Sequence, residues 1–405
     1  MKKVSILGLI ALSGLSMSAQ MSLVKDAGKK FKAGTTDYVE WVKTIEPAFT
    51  NPESAGNVET WFVAGENGFK NYDTMFRKMQ MGEQVDNKKT AAPLVMGYEY
   101  FMKALPLDSV PNAKGKVDPK KSKKIIEMIT DHYSAFDNAG RMLYQAGDYK
   151  GAYDAWGIYL DMPSNAQFKS HVKADPDSAV NYIVFLRGCA AGELGNYDDA
   201  FALYDEAISN GYTKKNIFEQ GIYTASRARQ NEKLYDYAAK GYQCCGNEDP
   251  KFLLLVIDSH IQKGEFDEAQ SMLGEALKAN PNDPQIYYVS GILYENKKEF
   301  DKAAENYMKA FQLDEKHAQA MVRYAAMLIE QSDAMAEGAG TLSEAEYHKL
   351  ESEKINPLRI EAAKWLEKAY ALDDSQMDAL RYLKGIYYVM KDEANLKRVE
   401  ELLKY

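Results

Sequence analysis

Cysteine is scarce in this sequence, and what there is does not suit a disulfide framework. The 405 residues hold three: Cys189, Cys244 and Cys245. Neighbours such as Cys244 and Cys245 rarely bridge each other, because the geometry is strained. Cys189 lies in an apolar helical pattern and reads as a small buried side chain, with a bridge to Cys244 or Cys245 as the alternative. Histidine is also thin. His132, His171, His260, His317 and His348 are scattered. None forms the His-Glu-x-x-His spacing and none pairs with Cys at zinc spacing, so no metal site is expected. There is no phosphate-cradling glycine loop and no Gly-x-Ser-x-Gly elbow. No catalytic residue and no cofactor are therefore expected. The protein also lacks a basic face. Its net charge is −9, and removing Lys2 and Lys3 lowers it by 2 to −11, which argues against nucleic acid. No run after the N-terminus approaches ~18 apolar residues, so no integral membrane contact is expected.

What is present begins with a leader. Lys2 and Lys3 precede an apolar stretch from Val4 to Leu15, and Ser16, Ser18 and Ala19 follow. That order is a secretory signal peptide over residues 1–19, with cleavage expected near Ala19. Its style resembles Gram-negative leaders, especially those of Bacteroidetes. A periplasmic location is the expectation, with secretion or outer-membrane association as alternatives. No Cys stands near the cut to carry a lipid anchor.

The strongest signal is self-similarity. In the stretch 182–212, Gly188 is followed after twelve residues by Ala200, then by Tyr204 and Ala207. Gly291, Ala303, Tyr307 and Ala310 repeat those spacings. Ala269, Leu273 and Ala276 form a further copy, in which Ile257 departs from the small first slot. An earlier copy has Gly140, Ala152 and Trp156, with Tyr159 in place of the last Ala. Two antiparallel helices approach closely only where side chains are small, and large aromatics fill the holes beside them. Gly147, Gly195 and Gly264 supply left-handed caps to the first helices, and Asn296 is the expected substitute in the copy without glycine.

These residues resemble the tetratricopeptide repeat family, a helix–turn–helix unit of 34 residues. Ala269 and Ala303 are 34 apart, as are Ala276 and Ala310, and Phe266 and Phe300. The resemblance is clear from Ile125 to Leu403 and extends loosely back to Val39, through Trp61 and Gly65. It implies an all-α fold, a right-handed superhelical solenoid of antiparallel helix pairs. After the leader, residues 20–124 form an N-terminal helical region with one divergent pair, and 125–405 form the solenoid. The pair Ile217–Gln243 is degenerate.

Three segments interrupt the array. Six lysines between Lys114 and Lys124 read as a solvated loop, with an anionic surface as the alternative partner. Pro163–Pro176 separates two copies. Residues 331–356 are inserted inside one repeat, with Gly338-Ala339-Gly340 as a flexible tip and an extra helix over Ser343–Lys354.

Stacked repeats make a concave groove lined by each first helix. Carried over from the family's first-helix pattern, the groove candidates are Arg141, Tyr144, Tyr182, Phe185, Asp258, Tyr288, Glu295 and Asn296, with Asp137, Glu193, Leu254, Gln262, Gln319 and Val322 beside them. The expected function is a non-enzymatic scaffold that binds a peptide or protein. A carbohydrate-binding module of an outer-membrane uptake system is the alternative, though Trp61 and Trp156, of only four tryptophans, fit core slots. A cryptic enzyme is the third reading.

Overall fold

The computed structural model describes residues 17–109, 119–245 and 250–404. Most of the expected leader, together with Lys114 and Lys116, lies outside the described residues. The N-terminal helices are α1 (Met17–Lys30), α2 (Tyr38–Thr50), α3 (Pro52–Ala55), α4 (Val58–Gln80), α5 (Asn87–Asp108) and α6 (Ser122–Asp131). The middle of the chain holds α7 (Tyr133–Gln145), α8 (Tyr149–Asp161), α9 (Asp177–Glu193), α10 (Tyr197–Ser209), α11 (Lys215–Ala228) and α12 (Asn231–Cys245). Then come α13 (Pro250–Gln262), α14 (Phe266–Ala279), α15 (Pro284–Asn296), α16 (Phe300–Leu313) and α17 (Ala318–Gly338). The last are α18 (Glu344–Leu350), α19 (Asn356–Leu372), α20 (Met377–Val389) and α21 (Glu393–Leu402). Among the described residues there is no strand.

The fold is all-α, and successive helices pair as in a helical solenoid. It divides into two compact units, one ending at Leu234 and one starting at Tyr235. That division falls inside α12, in the copy the sequence marks as degenerate. In the first unit α4 pairs with α5, α7 with α8, and α9 with α10, while α8 packs on α9. In the second, α13 pairs with α14, α15 with α16, α17 with α19, and α20 with α21. The 124/125 division expected from the sequence falls inside α6. Ile125 and Ile129 of α6 belong to the same core cluster as Trp61, Phe101 and Phe136.

Close approach inside a pair is set by the small slot. A Cβ built at Gly140 would stand 2.4 Å from Trp156 Nε1, and one at Gly188 would stand 2.7 Å from the Tyr204 ring. One at Gly291 would stand 2.4 Å from the Tyr307 ring. The three aromatics are fully buried. Such rings dominate a core by the area they remove from water. In the divergent N-terminal pair, Gly65 meets Phe101 in the same way.

Helix ends follow the sequence with one correction. Gly147, Gly195 and Gly264 take φ of 73, 79 and 77°. In α15 the left-handed residue is Lys298, at φ 61°, not Asn296, which still belongs to the helix. Arg229 and Lys391 do the same at φ 55 and 58°. A non-glycine residue pays about 1–2 kcal/mol there, a strain small enough for the surrounding helix packing to hold.

Other expectations change on packing. Lys121 pairs with Glu59 at 2.9 Å and lies 3.9 Å over the Phe62 ring, and Lys124 pairs with Glu66 at 2.6 Å. Lys121 and Lys124 thus reach α4, while Lys123 stands in solvent. Cys189 is a free thiol with 5% exposure, pushed up to about 12 by burial, so it makes no bridge. In the inserted segment α17 continues through Gly338, and Ala339, placed at the expected flexible tip, is buried. The extra helix is α18, opened by a capping box between Ser343 and Glu346. It ends at Leu350, and a π-helical turn over Glu351–Ile355 feeds α19.

Candidate functional site

One candidate lies in the second unit, on three successive first helices. Tyr288 of α15, Gln319, Val322 and Arg323 of α17, and Asp378 and Tyr382 of α20 line a cavity of about 260 Å³. The placement follows from helix geometry. Residues three or four apart share a face, so Gln319, Val322, Arg323 and Ala326 line one side of α17, while Met321 between them is fully buried.

Glu295, Arg323 and Asp378 are braced by hydrogen bonds. Glu295 accepts from the Tyr307 hydroxyl at 2.5 Å and from Arg323 Nη1 at 2.8 Å, which ties α15 to both α16 and α17. Burial, then the Glu295 carboxylate, pushes the Tyr307 hydroxyl far above its ordinary value. The Tyr288 ring lies 4.9 Å from His317 and 5.8 Å from Tyr307. His317 caps α17 by accepting from the Ala320 N–H at 3.3 Å through Nδ1. Its Nε2 is buried without a partner, and burial holds the imidazole below its ordinary value. Arg381 Nη1 donates to Asp378 at 2.5 Å. The result is a concave strip of aromatic rings, amides and paired charges. No group of His, Cys, Asp and Glu that could hold a metal ion occurs among the described residues.

Comparison with known proteins gives a family match over part of the chain. The family described as "Tetratricopeptide repeat protein 21 C-terminal ARM domain" matches residues 226–329. Over those residues the chain is similar to a tetratricopeptide-type repeat. No curated protein matches it. Among solved structures, a tetratricopeptide repeat protein from Parabacteroides merdae is 14% identical with a TM-score of 0.41, over 68% of this chain and 98% of that one. The C-terminal part of a TPR repeat-containing protein from Cytophaga hutchinsonii is 16% identical with a TM-score of 0.39, over 71% and 99%. YrrB, described as a TPR protein with an unusual peptide-binding site, is 16% identical with a TM-score of 0.32, over 49% and 89%.

In this tetratricopeptide-like register the eight groove candidates divide evenly between the units. In the first unit, the Arg141 guanidinium is held by Asp137 at 3.0 Å and lies 5.3 Å from the Tyr182 ring centre. Tyr144 packs edge-on to Tyr149, and burial raises its hydroxyl. Tyr182 lines a cavity of about 650 Å³ with Asp177, Asn210, Tyr212 and Lys214. Phe185 leaves the groove. It is 5% exposed and stacks on Tyr212 at 5.3 Å, because the loop after α10 covers it. In the second unit, Tyr288 lines the cavity and Glu295 braces it through Arg323. Asp258 accepts from the Tyr235 hydroxyl at 2.7 Å. Asn296 is exposed and donates back to the Ile292 carbonyl at 2.9 Å.

Sequence reasoning missed Arg323, Asp378 and Tyr382. Arg323 was within reach, four residues after Gln319 and so one helical turn along the same face. Asp378 and Tyr382 were not, since the last pair carries no small-slot glycine to set its register.

Proposed function

We propose that this repeat protein is a scaffold that holds an extended peptide or protein segment along the inner faces of α15, α17 and α20. The observation that carries the reading is the cavity framed by Tyr288 and Tyr382 with Arg323 between them. Aromatic residues and Arg are the side chains that most often anchor binding. About 260 Å³ is below the usual ~300–1,000 Å³ of small-molecule sites, so it suits the side chain of a longer ligand. The bracing of Arg323 by Glu295 presets the groove and lowers the entropic cost of binding. The leader-like N-terminus supports a periplasmic location, and the scaffold turns over nothing it holds.

The test is crosslinking of the protein in its native cell envelope, with partners identified by mass spectrometry beside a glycan array. A reproducible protein partner, lost in Tyr288→Ala and Arg323→Ala, is the expected result. Glycan binding without a protein partner overturns it, as does a saturable turnover abolished by one polar substitution. Sequencing the N-terminus of the fractionated protein tests the location, and a cytoplasmic pool with residues 1–19 intact refutes it.

A further inference from the structure

His317 stands where α16 hands the chain over to α17. It is 5% exposed, and its ring lies 4.9 Å from the ring of Tyr288, a wall residue of the groove cavity. A tight turn places it there, in which the His317 N–H donates to the Asp314 carbonyl at 3.0 Å. Its Nδ1 accepts from the Ala320 N–H at 3.3 Å and so caps α17. Gln319 and Val322, beside that cap, line the same cavity as Tyr288.

The site is built for a neutral ring. An Nδ1 that accepts carries no proton, so the neutral ring keeps its proton on Nε2. Nε2 is buried and has no partner. A second proton therefore goes to Nδ1, where it faces the Ala320 N–H and destroys the cap. It also sets a full positive charge at the positive end of a helix. Neither ring nitrogen of that cation finds an acceptor, and a buried charge without one is costly.

The surrounding groups offer little relief. α15 presents Tyr288, backed by Tyr307 of α16. Glu295 of α15 and Arg323 of α17 are paired with each other at 2.8 Å. Glu315 and Lys316 of the turn are exposed, and the first turn of α17 carries no charge. Asp314, half-buried at the end of α16, favours the proton, but burial outweighs it.

We propose that His317 is an acid-operated latch on the groove: neutral, it holds the first turn of α17 against Tyr288, and protonated, its ring leaves for solvent and the wall formed by Tyr288, Gln319 and Val322 loosens. The groove then keeps a peptide near neutral pH and releases it in acid. This regulation rests on the peptide reading of the groove.

Fluorine NMR of the full chain, with 3-fluorotyrosine placed only at position 288, tests the latch beside hydrogen exchange of the Ala320 amide. On acidification the fluorine signal moves in one step below pH 6.5, and protection of the Ala320 amide falls at least about tenfold. Circular dichroism of the whole chain stays unchanged through that step. His317→Asn, which keeps a cap without a titrating ring, abolishes both changes. Should that variant not fold, the wild-type His317 ring carries the test by titrating at the pH where the fluorine moves. A fluorine signal that does not move, that moves alike in His317→Asn, or that moves only with loss of helix overturns the latch. Separate midpoints for the ring and the fluorine overturn it as well. A peptide array read on both sides of the step separates the latch from the groove. Peptides held above the step and released below it support both. Peptides held equally on both sides overturn the latch and leave the groove standing. No peptide on either side, with the fluorine step intact, overturns the groove and leaves the latch standing.

Discussion

Gly291 and Gly385 both stand on first helices of the second unit, and they do opposite things. At the seam between α15 and α16, the Tyr307 ring comes to 2.4 Å from where a Gly291 side chain would begin. On the inner face of α20, Gly385 has open space. Each glycine costs its helix about 1 kcal/mol in propensity. At the seam, burial of a whole tyrosine offsets that cost. On the inner face nothing in the free protein does. The seam is packed tight, whereas Gly385 faces open space.

Paired alanine substitutions break this contrast most sharply. Gly291→Ala drives a methyl into a ring that has nowhere to go, and the loss is about 2 kcal/mol. Gly385→Ala gains about 1 kcal/mol. Urea unfolding of the full chain measures both, and a shared sign would dissolve the comparison.

The tyrosines sharpen it at smaller scale. Tyr307→Phe removes the hydroxyl that Glu295 accepts at 2.5 Å. It costs about 1.5 kcal/mol, since the bond is to a charged group. Tyr382→Phe on the exposed face changes stability by less than about 0.5 kcal/mol. Comparable losses in urea would show that the inner face is held as tightly as the seam.

Two histidines give the smallest and most condition-dependent effect. His132 packs against Phe69 in the core of the first unit, and both ring nitrogens face acceptors, the Met128 carbonyl at 2.7 Å and Asp73 at 2.8 Å. Burial works against its charge, but the Asp73 carboxylate outweighs it, and the pKa rises above 6.5. His317 beside Tyr288 is held below 6.5 by burial, and its Nδ1 must stay unprotonated to cap α17. The signs are therefore opposite. The His132 contribution is complete below pH 6.5 and is lost as pH rises through its raised folded value. The His317 contribution is present above pH 6.5 and is lost as pH falls through its lowered folded value. Stability against pH should lose its acid-side decline in His317→Asn, which keeps a good cap, and its neutral-side decline in His132→Asn. Unchanged profiles would refute the assignment.

The fold was legible where its contacts are local. Gly188 and Tyr204, or Gly291 and Tyr307, meet within one hairpin, so their spacing announces the contact. The 34-residue period then aligns one hairpin with the next. The site was legible only in part. Tyr288 and Glu295 follow from register, but the pairing of Arg359 with Asp333 crosses the whole insertion, and no period links the two. Phe185 shows the same limit from the other side. Its position on α9 matches a groove residue, yet Tyr212 on the following loop covers it.

By itself, the sequence determined the repeat unit, its helix pairs and most of their ends. Small slots, facing aromatics and left-handed caps act between residues close along the chain, and their spacing repeats. The tertiary structure alone decided which first-helix side chains stay on the inner face, and how the inserted turns bring Asp333, Arg359 and Gly385 around one cavity. Those outcomes depend on where neighbouring helices end and how far α17 runs on before it turns, and residue spacing carries no record of either.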